Sequence, residues 1–238
     1  MRATPFEFRF RFVFILGIVL LGFWSPGLHT SSVWMLASGW LAHQHWLSIQ
    51  TASVAIGAIA FACAVAAALL RTWGSAWLGP EIVLSRQMHS NAVVAGGPFR
   101  YVRNPLYLGL TLNLIALAVL MPLPGAIFAV VATIFFLLRL TCAEEAKLAE
   151  TPGYRAYAAK VPRLLPSLTP RVPASPAHPN WIRGLLGELY FWGAAISFAV
   201  LLPQYSAIAI TRGVLLSFGI GLVARGSMLG GRPGATAD

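Results

Sequence analysis

Charged residues are scarce in this sequence. Asp, Glu, Lys and Arg make up 10% of the 238 residues, whereas soluble domains carry about a quarter. Hydrophobic residues reach 58%, and the mean hydropathy is +0.73. The scarcity of charge excludes an ordinary soluble domain and indicates an integral membrane protein.

Cysteine is almost absent, and acidic residues are few. Cys63 lies inside one apolar run and Cys142 at the end of another, which excludes a disulfide framework and a cysteine-based metal site. His43 and His45 have no third ligand near them in sequence, so we expect no metal. The net charge of +10 is typical of the cytoplasmic flanks of membrane helices, and we expect no nucleic-acid partner.

Six apolar runs are candidates to cross about 30 Å of hydrocarbon, which takes about 20 helical residues. They cover residues 10–24, 52–70, 106–121, 125–140, 185–202 and 207–223. The sequence MPLPG at 121–125 predicts a tight turn that makes the third and fourth runs a helical hairpin. The pattern predicts an all-α fold, a polytopic transmembrane helical bundle of about six spans.

The basic residues predict the orientation of these spans. With a cytoplasmic N-terminus, six spans place every Lys and Arg except Arg212 on cytoplasmic segments or span ends. Both termini are then cytoplasmic, as are two long segments, 71–104 and 141–183, which flank the hairpin and lie side by side.

Proline divides the chain near its C-terminal end. Six prolines occur in the eighteen residues 162–179, a density that prevents a helix and favours an extended linker. We expect four units: N-terminal transmembrane helices, a core containing the hairpin, a Pro-rich linker and a C-terminal helix pair. Their respective bounds are residues 1–70, 71–168, 169–183 and 184–238.

The sequence GPFRYVRNPLYLG begins at Gly97 and contains a strong helix start. In Asn104-Pro105, asparagine is a favoured N-cap, and proline at the first helical position loses no hydrogen bond. Arg100 and Arg103 would lie beside the free N–H groups of this helix. The cytoplasmic end of the third span is therefore predicted to bind an anion.

Two adjacent acids, Glu144 and Glu145, follow the fourth apolar run. Carboxylates near a membrane are costly unless they are paired or used, and the hairpin would set these two opposite the basic helix start. A solvated helix with Glu144 paired to Lys147 is an alternative interpretation. A site with cations on one wall and acids on the other suits a zwitterionic ligand.

At these residues the sequence resembles the isoprenylcysteine carboxyl methyltransferases and the related phospholipid N-methyltransferases. The resemblance is carried by GPFRYVRNPLYLG, by the paired Glu144-Glu145, and by PGYRAYAAKVPRLLP from Pro152 onward. RTWGSAWLG at 71–79 and His89 are also similar. The resemblance covers approximately residues 70–168.

The resemblance implies methyl transfer from S-adenosylmethionine to a lipophilic acceptor, in a cytoplasmic cofactor pocket formed by loops and helix extensions. The cofactor-binding residues it implies are His89, Arg100, Arg103, Asn104, Pro105, Tyr107, Leu108, Glu144 and Glu145. We expect Arg103, Asn104 and Glu145 to be catalytic. Tyr154, Tyr157 and Arg163 are candidates for substrate binding.

One residue departs from the family pattern, since Asn104 stands where histidine is usual. Asparagine can donate a hydrogen bond but cannot titrate. A carboxylate acceptor is already ionised at neutral pH, whereas a protonated amine or a thiol needs a base. We therefore expect a carboxylate of an isoprenylcysteine-like substrate, with a phospholipid amine or a small thiol as alternatives.

Two other classes of protein fit the sequence less well. Membrane sterol-type reductases share a loosely similar Arg-x-x-Asn-Tyr end and bind NADPH, but a cluster for the extra phosphate is missing here. A non-enzymatic membrane protein would use the polar segment only structurally. Size and the Ala- and Arg-rich composition are typical of a bacterial chain, so we expect the inner membrane, with membrane lipids as partners.

Overall fold

The computed structural model describes residues 2–24, 31–78 and 95–230, and in these residues the chain forms helices and no strand. The ten α-helices, numbered in chain order, have the following bounds. They are α1 (Pro5–Arg9), α2 (Arg11–Phe23), α3 (Val33–His43), α4 (Ile49–Ala76), α5 (Pro105–Ala118), α6 (Leu123–Leu148), α7 (Tyr154–Lys160), α8 (Trp181–Gly187), α9 (Leu189–Leu201) and α10 (Ala207–Gly230). The predicted all-α class is confirmed.

Each predicted apolar run coincides with a helix or a helix pair, but their lengths differ. In the described residues, α4, α6 and residues 207–224 of α10 are long and apolar enough to span a membrane. The pair α8–α9 makes a fourth candidate that is bent by 65°. Helices α2 and α5, of 13 and 14 residues, are apolar but shorter than a full span. By length and composition the fold has three or four spans, with two further apolar helices.

The outer surface of this bundle is apolar. Val131 on α6, Leu216 on α10 and Ile59 on α4 are each more than 60% exposed. Large apolar side chains in such numbers would drive aggregation in water and are stable against lipid. The protein is therefore an integral membrane protein.

Helix α4 lies at the centre because its inner face consists of small residues. Ala60 and Ala64 are buried against Leu114 and Leu117 of α5. Small side chains allow helix backbones to approach closely, which increases van der Waals contact where lipid supplies no hydrophobic drive between helices. Helix α5 is thereby held against α4, and its first turn lies at Gly74, where a Cβ would be 2.9 Å from Leu106.

The N-terminal segment is fastened to α6. Thr4 and Glu7 form a capping box at the start of α1. Both oxygens of the Glu7 carboxylate accept from Arg139 Nη2, at 2.9 and 2.7 Å, and the Ala3 N–H donates to the Arg139 carbonyl. Phe8 consequently packs in the apolar cluster that includes Tyr107.

The Pro-rich residues 162–179, called the linker from here on, fold back along the segment that precedes α5. The N–H of Arg103 donates to the Pro162 carbonyl, the N–H of Ser167 to Tyr101, and the N–H of Arg171 to Arg100. Residues 162–175 therefore line the loop 95–103 rather than leaving the body of the protein.

The fifth predicted span is divided between two helices, because the chain leaves the helical conformation at Glu188. This residue has φ −119° and ψ 20°, outside the helical region, and separates α8 from α9. Its carboxylate accepts from Arg71 and Ser75 of α4. A buried carboxylate held by another helix turns the backbone at this position, which hydropathy alone does not reveal.

Candidate active site

The segment before α5 makes a sharp, glycine-dependent turn. Gly97 has φ +48°, in the left-handed region, where residues with a Cβ are strained. A Cβ on Gly97 would also lie 2.4 Å from the Trp77 ring. The 3₁₀-helix Gly97–Arg100 follows, and α5 begins at Pro105 as the Asn-Pro motif predicts.

The role predicted for the Asn104 side chain as a helix cap was wrong. Asn104 occupies the N-cap position of α5, but its side chain makes no capping hydrogen bond. Its Nδ2 instead donates to Glu145 Oε1 at 3.3 Å and to the Arg163 carbonyl at 3.1 Å. The Glu145 carboxylate and the Arg163 carbonyl therefore take the hydrogen bonds of this amide in place of the helix end.

Glu145 is the centre of the site. Its Oε1 lies 3.2 Å from Arg103 Nη1, and its Oε2 accepts from Arg163 Nε at 3.0 Å and from Nη2 at 2.7 Å. With the Asn104 contact, both carboxylate oxygens are occupied by donors. These four residues, Arg103, Asn104, Glu145 and Arg163, are named the Glu145 cluster below.

The Glu145 cluster is only partly accessible. The Glu145 side chain is 10% exposed and that of Arg103 14%, whereas that of Arg163 is 43% exposed. Hydrogen bonds to Glu145 raise the pKa of Arg163 above its usual value. The outer arginine is thus the member of the cluster most able to turn toward a ligand.

Two tyrosines of α7 form the apolar floor beside this cluster. The rings of Tyr154 and Tyr157 lie 5.8 Å apart, and the Tyr157 hydroxyl donates to the Phe99 carbonyl at 2.8 Å. Burial raises the pKa of both phenols, and the charge of Glu145 adds to the shift of Tyr154. Both side chains are therefore protonated at neutral pH.

Glu144 has a different partner from its neighbour. The Tyr107 hydroxyl donates to Glu144 Oε1 at 2.8 Å, joining the first turn of α5 to the last turns of α6. The Lys147 ammonium lies over the Phe8 ring, 4.9 Å from its centroid. The alternative in which Glu144 pairs with Lys147 does not describe this structure.

One donor in the site is buried without a partner in the described part of the chain. Arg103 Nε is inaccessible and makes no hydrogen bond there. A buried unpaired donor costs free energy of about 1–3 kcal/mol, and more when it is charged. The site thus pairs an unused cationic donor with two carboxylates, which is the chemistry that a zwitterionic ligand needs.

Other predicted site residues lie outside the Glu145 cluster. Arg100 Nε donates to the Val172 carbonyl at 3.0 Å and so fastens the linker. Pro105 is buried as the first residue of α5, and Leu108 is half-buried on its second turn. His89 lies outside the described residues.

The sequence reasoning missed the partnership of Arg163 with Glu145. Arg163 stood among the substrate-binding candidates, while the structure makes it a direct partner of the acid. Its position shortly after the two tyrosines of α7 was the only available signal. The linker carbonyl of Arg163 also contacts Asn104, an interaction that has no sequence signature.

Comparison with known proteins gives one match to a family model. Residues 52–154 match the family described as PEMT, phospholipid methyltransferase. The matched segment begins in the first turn of α4, contains α5 and α6, and ends at the first residue of α7. The resemblance to membrane methyltransferases predicted from the sequence is confirmed over this segment. Searches of curated proteins and of solved structures gave no match.

Proposed function

On the match of residues 52–154 to the phospholipid methyltransferase family, we propose that this chain is an integral membrane methyltransferase and that it methylates a lipophilic carboxylate with S-adenosylmethionine. The observation that carries the proposal is the Glu145 cluster with its unpaired Arg103 Nε. The cluster joins the hairpin to the linker and offers charges of both signs.

The residues present fit this cofactor. S-adenosylmethionine carries a carboxylate, an amino group, ribose hydroxyls and a positive sulfonium. Arg103 has a free buried donor for the carboxylate, and the N–H groups at the start of α5 favour an anion at the same place. Glu144 and Glu145 are acceptors for the amino group or the hydroxyls.

The protein's own contribution is to orient the ligand and to exclude water. S-adenosylmethionine, when bound, supplies an activated methyl group. Asn104 donates to Glu145 and keeps its carboxylate fixed, and the buried rings of Tyr154 and Tyr157 close one side. Positioning is the main source of catalysis in a displacement of this kind, because the reacting groups must be aligned in line.

The acceptor follows from the protonation state of the cluster. Asn104 cannot titrate, and both oxygens of Glu145 are engaged by donors. The Tyr154 and Tyr157 phenols are protonated, since their pKa values are raised. These residues provide no ready base at neutral pH, which favours an acceptor that is nucleophilic as it binds. An ionised carboxylate meets this condition.

A phospholipid amine is the second candidate. The printed description of the matched family, phospholipid methyltransferase, favours it directly. An amine attacks only when it is neutral, so this chemistry needs a base to take its proton. The lipid itself, solvent or Glu144 would supply that base.

The arrangement of basic residues supports a cytoplasmic site. The loop 95–103, the linker and the acidic end of α6 lie at one end of the hairpin, together with Arg100, Arg103, Arg163 and Arg171. We place this end and both termini in the cytoplasm, and the protein in a bacterial inner membrane.

Transfer of a labelled methyl group tests the proposal. Purified protein in nanodiscs is supplied with methyl-labelled S-adenosylmethionine and either an S-prenylated cysteine bearing a free carboxylate or phosphatidylethanolamine. A methyl ester releases labelled methanol in base, whereas an N-methyl product does not. Base-labile label that depends on Glu145 supports the carboxylate, and base-stable label on the phospholipid refutes it in favour of the amine.

A further inference from the structure

A buried ion pair joins the C-terminal helices to α4, outside the Glu145 cluster. Glu188, at the break between α8 and α9, is 3% exposed. Arg71 donates to both carboxylate oxygens of Glu188, with Nη2 3.0 Å from Oε1, and the Ser75 hydroxyl donates to Oε1 as well. The two charged residues are 117 positions apart in sequence.

The third nitrogen of the Arg71 guanidinium contacts α5. Its Nη1 donates to the Leu106 carbonyl at 3.1 Å, and Leu106 lies between Pro105 and Tyr107 in the first turn. The stem of Arg71 passes across α5 at Gly109, where a Cβ would lie 2.5 Å from Arg71 Cγ. A single guanidinium therefore contacts both the C-terminal helices and the turn that carries the candidate site.

The charge balance explains why Glu188 is needed. Arg71 lies near the N-terminal, positive end of the α5 dipole, where a cation is disfavoured. A buried guanidinium without a counter-ion is strongly unfavourable. Glu188 neutralises it and, by binding two of its nitrogens, leaves Nη1 directed at Leu106. The Phe191 ring, 4.3 Å from Arg71 Cζ, holds the guanidinium plane from the other side.

We infer that Glu188 and Arg71 are positioning residues for the methyl-transfer site. Glu188 fixes Arg71, and Arg71 fixes the first turn of α5, on which Asn104 and Tyr107 reach the two acids of α6. The C-terminal helix pair, which lies beyond the matched residues 52–154, is then an integral part of the enzyme. This inference rests on the proposed function only for the identity of the ligand.

Glu188→Gln is the informative substitution, since it keeps the size and removes the charge. We expect its affinity for S-adenosylhomocysteine to fall about tenfold or more, by analogy with residues that orient the ligands of a metal ion. Turnover should fall by up to about 10²-fold, as for misplacement by about 1 Å. Hydrogen exchange of residues 104–110 should accelerate without any ligand, whereas Glu150→Gln, at an exposed site, should change none of these quantities.

A double substitution separates positioning from stability. Arg71→Met combined with Glu188→Met replaces the ion pair with apolar side chains, which is often neutral or stabilising. We expect its melting temperature to stay near that of the wild type, while ligand affinity stays low and α5 exchanges fast. If this variant does not fold, Glu188→Asp takes its place and should bind more tightly than Glu188→Gln.

The outcomes separate the positioning role of Glu188 from the proposed methyltransferase function. Wild-type affinity and unchanged exchange of α5 in Glu188→Gln would overturn the positioning role and leave the methyltransferase function intact. Wild-type affinity in the double variant would also overturn it. Failure of the wild-type protein to bind S-adenosylhomocysteine would overturn the proposed function, while hydrogen exchange would still decide whether Glu188 controls α5.

Discussion

Replacing Glu145 with glutamine is the most informative change to the site. The substitution keeps the shape of the side chain and removes the one negative charge shared by Arg103 and Arg163. The new amide also presents its own N–H groups to donors that previously bonded a carboxylate. Among the described residues, both arginines then lose the carboxylate with which they form an ion pair.

The loss of stability expected for Glu145→Gln follows from the solvent exposure of the two ion pairs. The Arg103–Glu145 pair is largely buried, at 14% and 10% exposure, and a hydrogen bond to a charged group contributes about 1.5–3 kcal/mol. The Arg163 side chain is 43% exposed, so its contact adds less than about 1 kcal/mol. A total loss of about 2–3 kcal/mol lowers the melting temperature by about 4–12 °C for a chain of this size.

The assay is calorimetric titration of S-adenosylhomocysteine into detergent-purified protein, beside a thermal melt. Loss of about 1.5–3 kcal/mol from the acceptor contact predicts binding weaker by about 10- to 100-fold. Glu150→Gln is the matched control, because Glu150 is exposed just beyond the end of the same helix. Unchanged affinity in Glu145→Gln, whatever the melting temperature, would show that this carboxylate does not bind the cofactor.

Three further predictions follow from single contacts. Turnover of the wild type should not change between about pH 6 and pH 8. In Asn104→His, turnover should become pH-dependent near the ordinary imidazole pKa of about 6.5. A pH-dependent turnover of the wild type in that range would contradict the absence of a base from the Glu145 cluster. Tyr157→Phe removes the buried 2.8 Å bond to the Phe99 carbonyl and should cost about 1–3 kcal/mol in a thermal melt with little loss of cofactor affinity; a large affinity loss would make this tyrosine a ligand-binding residue. The pKa of Glu7 is lowered by the Thr4 N–H and by Arg139, so its stabilisation is present at neutral pH and is lost as the pH falls through the folded-state pKa. Glu7→Gln should therefore speed proteolysis of residues 2–11 at pH 7 and have little further effect in acid; equal proteolysis of both proteins at pH 7 would contradict this.

Local signals predicted the helical hairpin correctly. MPLPG turns the chain between α5 and α6, and Asn104-Pro105 starts α5 where expected. A helical hairpin whose two apolar runs are of similar length brings the residues before the first run close to those after the second. The meeting of Arg103 with Glu145 was therefore predictable from turn chemistry and helix length.

Contacts made across long sequence separations were not predictable. Glu188 lies at the start of an apolar run, where hydropathy gives no indication of a 65° bend or of Arg71 as a partner. The side chain of Asn104 had several hydrogen-bond choices, and the folded positions of Glu145 and Arg163 decided among them. Such choices depend on packing that a single sequence does not encode locally.

Ligand binding tests the central claim most directly. S-adenosylhomocysteine and, separately, NADPH are titrated into folded wild-type protein and into Arg103→Ala. The account predicts saturable binding of S-adenosylhomocysteine to the wild type, its loss in Arg103→Ala, and no binding of NADPH. Binding of NADPH alone, or of neither ligand, would contradict the assignment of this site to methyl transfer.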